Sequence, residues 1–593
     1  MIVAHRGVAG AVAVLLSAAC SGGSIVDDAT THPVGTTDVR SSSILLIGEE
    51  IVVVDPDVDS ISVLDRTALQ PIARIEVGDE PRQLLSLPGG QLVVSTHRGG
   101  ELVFVDLTSR LVTSRVTICA GPFGMALRAS GPVVVACEYD HRVVEWTPAG
   151  VREIGRVPRV RAVATSGDLI YAASFVGTGA RVFRFDDDDT TMSTSPVPSV
   201  ESGGRGTAPP SATQLTAILP TDDGGLWVAM QLVDNGPSDG PAGYGDIVDG
   251  NPRVRPLIQR LDSDLQPVGI GAYARFDGSE RAFNAPSALE FGPDNTLVIA
   301  HRSSADVAIL SADGRSVTHV ARVGSGPAGL AVDLDARVVY VDNAFDGSVS
   351  RLDLSGGAPL TRVRNLPYRV STDALAGRRT FHDSRDVHLT PLGVVACSTC
   401  HPEGADDGLT WDLHAGDVTP RRRRSMHLGV APIGRAGLHW DGEFEDMRSL
   451  LASTIPNLMG GDGLLVDADD VSAYVTELVA PPPPRAPLER AEAGRKVFER
   501  AGCATCHSGV RLTDDRFHAV LSPMTTAPGD TLSAARTPSL LGIAHRAPYF
   551  HDGRSPDLDD LHRRTDATVH GADGVALLTD DDVADLVIYL ESL

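Results

Sequence analysis

A strand-like run ending in a polar residue returns seven times along this chain, at 60–65, 101–106, 142–147, 181–186, 257–262, 306–311 and 348–353. Other alternating runs precede these markers, as at 91–95, 296–300 and 338–342. A unit of this size cannot bury one face of its sheet alone and must stack on a copy of itself. A period of about forty residues with several strands per unit therefore predicts the blades of a β-propeller. Seven markers predict seven blades over residues 44–371. The fourth interval is nearly double the others. Its Pro-, Gly- and Asp-rich stretches at 201–210 and 235–252 predict long surface loops, either passive insertions or a partner-facing side of the ring.

From about Thr372 the alternation stops, and two copies of one pentapeptide follow: Cys397-Ser-Thr-Cys400-His401 and Cys503-Ala-Thr-Cys506-His507. Cys-x-x-Cys-His is the attachment pattern of c-type haem; two thiols add to the vinyl groups and the adjoining imidazole ligates the iron. Structural zinc groups four ligands in one small unit. Here the pairs stand far apart, and each has its own histidine. A redox dithiol would need a βαβ setting, which is missing. Two covalent haem c groups are expected, with His401 and His507 as iron ligands.

Pro481 to Pro484 cannot continue a helix and form a stiff spacer. The spacer, 481–486, divides the region into cytochrome c domains at 372–480 and 487–593, with helices expected at 469–478, 487–501 and 580–593. The fold class expected is thus multidomain: an all-β seven-bladed propeller followed by two mainly α-helical cytochrome c domains.

Composition sets the compartment and excludes one partner class. A net charge of −26 argues against nucleic acid, which calls for a basic face. Arg6, the apolar stretch from Val8 to Leu16 and the small residues before Cys20 read as an export signal over 1–20, too short to span a bilayer. Cys20 is the candidate lipidated residue, which would attach the protein to a membrane by an N-terminal lipid; Ser17 departs from the usual lipoprotein pattern. A Ser/Gly/Thr-rich tether follows at 21–43. The expected location is the periplasm or cell surface. Four cysteines belong to haem, leaving Cys119 and Cys137 as a disulfide or as two buried thiols.

The blades resemble YVTN/NHL-type repeats over about residues 45–370. Further motifs follow the two attachment sites: Asp407-Gly408 and His439-Trp440-Asp441-Gly442-Glu443 after the first, Arg536-Thr-Pro-Ser-Leu-Leu541 and Ala547-Pro-Tyr-Phe-His551-Asp-Gly-Arg554 after the second. In this order they resemble the di-haem cytochrome c peroxidase family, which includes MauG-type enzymes, over residues 385–593. The resemblance implies that the first haem is the peroxide site and the second the electron-transfer site, with Trp440 between them. It implies that His551 lies beside the second haem without ligating it, and that Arg536 belongs to the cofactor site.

The chain also departs from this family. Where the family carries a distal histidine, position 417 is Asp; His414 is the nearest replacement and His427 a weaker one. The stretch 455–461 lacks the family's acid/base glutamate, which weakens proton delivery. Thr565 stands where the family places Met or Tyr near the second haem, with His562, His570 and Met524 as alternative ligands. Arg421 to Arg424 either pairs with haem propionates or forms a solvated loop. Calcium between the haem domains is a family trait, although the segments around Arg424 and Arg536 present no clear oxygen-ligand set.

The reading that follows is an exported di-haem oxidoreductase that uses peroxide or oxidises a substrate held by the propeller. Its partners would be a small cytochrome or cupredoxin, or a small-molecule or protein substrate. A second reading is a non-catalytic electron-transfer protein with the propeller as docking module. A third makes the propeller a binding scaffold with vestigial haems.

Overall fold

The computed structural model describes residues 40–176, 180–186, 191–196, 211–234, 247–248, 251–268, 283–413, 421–424, 437–439, 442–484, 486–519, 534–550, 553, 555–563 and 578–593. The chain divides into units 1–36 and 37–593, and every described residue belongs to the second. The signal expected at 1–20 and the insertion at 201–210 lie outside the described residues. Of 235–252, little beyond a two-residue ladder, Ile247–Val248 on Asn251–Pro252, is described in the middle of the insertion.

Among the described residues, seven four-stranded antiparallel sheets follow one another at 44–76, 81–117, 122–156, 160–194, 211–268, 286–322 and 327–363. Each of the seven sequence markers coincides with the third strand of its blade, for example Ser60–Asp65 and Glu101–Asp106. Every blade is built from one continuous stretch of chain, interrupted in blade five by the 247–252 ladder, so no strand is exchanged to close the ring among the described residues. Closure rests instead on packing between blades one and seven, where Ile44, Ile51, Val53 and Leu64 meet Ala331, Val338, Tyr340 and Val349. An Arg66–Asp333 ion pair reinforces the seam.

The central channel is occupied by the chain itself. Ser42 bridges Leu84 of blade two and Arg40 bridges Ala126 of blade three. Arg40 also donates to Glu290 of blade six at 2.7 Å, and Ser43 donates to the buried Asp342 of blade seven at 2.7 Å. The last four residues of the stretch read as a tether, 40–43, are thus bonded to the inner strands of several blades. Cys119 and Cys137 form a disulfide at the start of blade three.

Beyond the ring, helix α1 (Thr372–His382) crosses α4 (Ala468–Glu477), and α5 (Leu488–Arg500) crosses α7 (Asp580–Glu591). The three helices expected from sequence are α4, α5 and α7, within one to two residues at each end. Between them lie the single turn α2 (Cys397–Cys400), α3 (Met447–Thr454) and α6 (Leu558–Arg563). Side-chain caps fix several starts: Ser371 for α1, Asp446 for α3, Asp467 for α4 and Thr579 for α7 each accept a hydrogen bond from a first-turn N–H.

The two halves repeat each other. Ala376-Gly377-Arg-Arg-Thr-Phe381 in α1 matches Ala493-Gly494-Arg-Lys-Val-Phe498 in α5. A Cβ on Gly377 would lie 1.9 Å from the Asp470 carbonyl oxygen, and one on Gly494 2.0 Å from that of Asp585. Both glycines therefore let the crossing helices touch backbone to backbone. Gly377→Ala and Gly494→Ala should each lower stability by about 1–3 kcal/mol, the range for overpacking a tight contact. An unchanged melting curve for either variant would contradict this packing.

Each half has its own core, around Phe381, Leu451, Val471 and Tyr474 in the first and Phe498, Leu540, Leu586 and Leu590 in the second. The first core extends into the propeller through Val233 and Val254 of blade five. Two short hairpins accompany the helices: 517–519 with 534–536, and 410–413 with 421–424. The run Arg421–Arg424 is thus a strand paired with Thr410–Leu413, which corrects the loop considered for it. Its partner strand is anchored by Trp411, 1% exposed, whose indole N–H donates to Asp407 at 2.8 Å.

Candidate haem sites

Both Cys-x-x-Cys-His runs fold into one tight turn closed by the histidine N–H. In the first, His401 N–H bonds the Cys397 carbonyl at 3.0 Å; in the second, His507 N–H bonds the Cys503 carbonyl at 3.0 Å. All four cysteines are free of disulfides. Burial pushes the Cys397 thiol up to about 11, and burial raises Cys400 and Cys503 as well. Thiols held protonated this way are poor candidates for a dithiol redox centre, which needs a depressed pKa. Among the described residues one group of three potential metal ligands occurs, Cys506 with Asp514 and His518. It contains a thiol that haem attachment would use, and His518 already pairs with Asp514 at 2.8 Å.

Each histidine is oriented in the same way. His401 Nδ1 lies 3.3 Å from the Ala405 carbonyl oxygen, and His507 Nδ1 lies 3.1 Å from that of Leu512. An Nδ1–H donated to a backbone carbonyl selects the tautomer whose Nε2 lone pair can ligate iron. Arg536 fits an acidic cofactor too: its Nη atoms bond Asp515 at 2.9 Å and the Gly437 carbonyl at 3.2 Å, while its buried Nε has no partner among the described residues. A haem propionate satisfies such an atom.

The two halves also share their second motif. Leu438 bridges Phe444 and Tyr549 bridges Ser555, with positive φ at His439 and Gly442 in one turn and at Phe550 and Gly553 in the other. Trp440 follows His439 and His551 follows Phe550 in the sequence; both residues lie outside the described ones. Second-half residues sit on the Trp440 turn: Arg536 on Gly437, and Phe517 against Gly442, where a Cβ would come within 2.6 Å of its ring.

A family model for cytochrome c matches residues 491–593. MauG, a methylamine utilization protein of Methylophilus methylotrophus, is 27% identical over 278 residues, covering 37% of this chain and 82% of its own. Cytochrome c551 peroxidase of Pseudomonas aeruginosa is 26% identical over 293 residues, covering 40% and 82%. The C-terminal part of this chain is thus similar to MauG and to cytochrome c peroxidase. Among solved structures, a chain of Kuenenia stuttgartiensis hydrazine synthase covers 55% of this chain and 98% of its own, at 15% identity and a TM-score of 0.44.

As in its relatives, haem c is the cofactor that these turns imply. The family's other site positions are less visible here. His414, His427, Met524, Thr565 and His570 lie outside the described residues. His562 is on α6, with Nδ1 2.7 Å from the Leu558 carbonyl oxygen. Ile455–Met459, where the family's glutamate is missing, forms a π-helical turn with Ile455, Leu458 and Met459 buried. Among the described residues, no helix is long and apolar enough to cross a membrane.

Sequence reasoning missed how the family region meets the propeller. The turn Pro402–Gly404, directly after His401, holds Glu403 at φ +55° against the channel mouth. Arg161 of blade four and Arg302 of blade six each donate to it at 2.9 Å, and Arg82 of blade two lies 3.7 Å away. Burial alone would raise the Glu403 pKa, but Arg161, Arg82 and Arg302 outweigh it and hold the carboxyl well below the usual range. Nearby, Gln214 donates to the Thr399 carbonyl at 3.0 Å and Asn284 to that of Val394 at 2.6 Å. A cavity of about 20 Å³ remains between these groups, room for about one water.

Three histidines are buried or half-buried along this contact. Burial pushes His382 down to about 3; burial, then Arg159, pushes His141 down to about 4; burial, Arg159 and His141 hold His545 well below its ordinary value. A histidine with a lowered folded pKa binds fewer protons folded than unfolded, so the fold loses stability as pH drops below about 6.5. Asp342 acts oppositely: burial pushes it up to about 6, which favours the fold on acidification. Burial lowers His507 and His562 as well and raises Asp55 like Asp342, so lowered imidazoles outnumber raised buried carboxyls, and the free energy of unfolding in urea at pH 5 should lie below that at pH 7 by about 1 kcal/mol or more. A flat profile would contradict the neutral, buried state assigned to these imidazoles.

Proposed function

We propose that this protein is an exported di-haem c-type oxidoreductase of the periplasm or cell surface that reacts with peroxide. Cys397, Cys400 and His401 would hold one haem, and Cys503, Cys506 and His507 the other. Bound haem would supply a redox-active iron able to take up peroxide. The observation that carries this reading is the duplicated site: two attachment turns with the same histidine orientation, joined where Arg536 and Phe517 pack on the turn bearing Trp440. In this reading Trp440 lies between the haems, His414 serves the first, and His551 and Arg536 line the second. Electrons would come from a reduced small cytochrome or cupredoxin, or from a protein or small-molecule substrate that is oxidised in turn.

The channel mouth facing the haem region is filled by Glu403, so a substrate or partner held by the propeller would sit on its rim or opposite face. Stopped-flow mixing of the ferric and half-reduced protein with hydrogen peroxide tests the reading. Peroxide-dependent changes in the haem bands, with turnover of a reduced small cytochrome, are expected. Two haems that ignore peroxide in both states would leave the electron-transfer reading, which the missing carboxylate at 455–459 favours.

A further inference from the structure

Glu138 ends the second-strand side of blade three and is 0% exposed. Its Oε1 accepts from Arg159 Nη2 at 2.7 Å and Nε at 3.1 Å; its Oε2 accepts from Arg161 Nε at 2.6 Å and lies 3.1 Å from His97 Nε2. Burial would raise this carboxyl's pKa, but Arg161, Arg159 and His97 together keep it well below the ordinary range. Both arginines then reach past Glu138, into different halves of the haem region.

Arg161 continues to Glu403, two residues beyond His401. Its guanidinium carbon is 3.8 Å from the Phe175 ring centre and 4.8 Å from that of Phe123, which stiffens this arm. Arg159 continues to the His545 carbonyl, with Nη1 3.3 Å away. The His545 ring packs 4.8 Å from Tyr139 and 5.4 Å from His141, and its Nε2 lies 3.0 Å from the Pro482 carbonyl of the proline spacer. Arg159, at φ +46°, directly precedes the strand Val160–Ser166 and Arg161 lies within it, so one short segment of blade four presents both guanidinium groups to Glu138. One carboxylate therefore sets the relative position of two arms, each gripping a different haem-bearing half.

We infer that Glu138, Arg159 and Arg161 are positioning residues for electron exchange between the two haem sites, acting as a fork by which the propeller fixes one half against the other. This rests on the di-haem reading. Exchange between fixed redox centres depends steeply on their separation. Among the described residues the halves touch directly where Arg536 and Phe517 sit on the Trp440 turn and where Gly542 lies against Ala480 and Pro481. An external brace that removes hinge motion at the proline spacer would hold that separation.

The test uses the full-length, two-haem protein, half-reduced by a light flash, with the rate of electron redistribution between the haems read from their absorption bands. Arg159→Met releases the arm to His545 and leaves Glu138 its contacts with Arg161 and His97. It should slow redistribution several-fold, through a longer or less constant separation of the two centres, with haem content unchanged. Arg159→Lys keeps the charge beside Glu138 but cannot span to the carbonyl, and should slow it as well; if the Met variant does not accumulate, the Lys variant decides. Two haems exchanging at the parental rate in these variants overturn the fork. A parental protein with fewer than two haems overturns the reading beneath it instead.

Discussion

Glu403→Gln should lower the free energy of unfolding by about 3 kcal/mol and expose the segment around the first attachment turn. Breaking one side of a buried ion cluster costs about 3–5 kcal/mol because the partner charges stay buried without compensation. The lower end applies, since the Glu403 side chain is 20% exposed. Arg161 and Arg82 would retain Glu138 and Glu80. Arg302 would not, because among the described residues its ion pairing is to Glu403 alone. Three guanidinium groups from three blades would then face each other across the channel mouth. Hydrogen exchange should rise selectively at 394–404, which the Asn284 and Gln214 contacts alone would hold. Uniform exchange with an unshifted unfolding midpoint would mean that the haem region docks by its apolar contacts, through Val233 and Val254, and not by charge.

The second large effect concerns the ring. Replacing both Cys119 and Cys137 by Ala should cost about 2–4 kcal/mol, most of it through the unfolded chain, where the cross-link no longer restricts a loop. The sequence separation is 18, and both residues are fully buried. Alanine also leaves space among Leu85, Phe104, Met125 and Val144, so a small packing loss adds to the entropic one. Urea unfolding followed by intrinsic fluorescence gives the value. A double variant as stable as the parent, and a parent insensitive to reductant, would show that the bond is absent from the mature protein.

The parts of this architecture that were legible in the sequence are those with local causes. A strand alternating at 101–106 must pair and bury one face wherever it lies, so the seven markers coincide with seven third strands. Cys-x-x-Cys-His is short enough that its chemistry is complete within five residues. The duplication of Ala-Gly-Arg-x-x-Phe at 376–381 and 493–498 was equally readable, but its meaning depends on Asp470 and Asp585, which lie about ninety residues on in each half. Long-range charge placement left no local trace. Glu403 looks like any turn glutamate until three blades bring Arg82, Arg161 and Arg302 around it, and Glu138 reads as an ordinary residue at a strand end. Residues 40–43 are small and polar like the tether before them; only the ring supplies the inner strands to which they bond.

The most direct test of the account is the mass and haem content of the mature, denatured protein, by intact mass spectrometry and the pyridine haemochrome spectrum. Two covalently bound haems per chain are predicted, falling to one when Cys503 and Cys506 are replaced by Ser. A mature chain carrying one haem, or none, would contradict it.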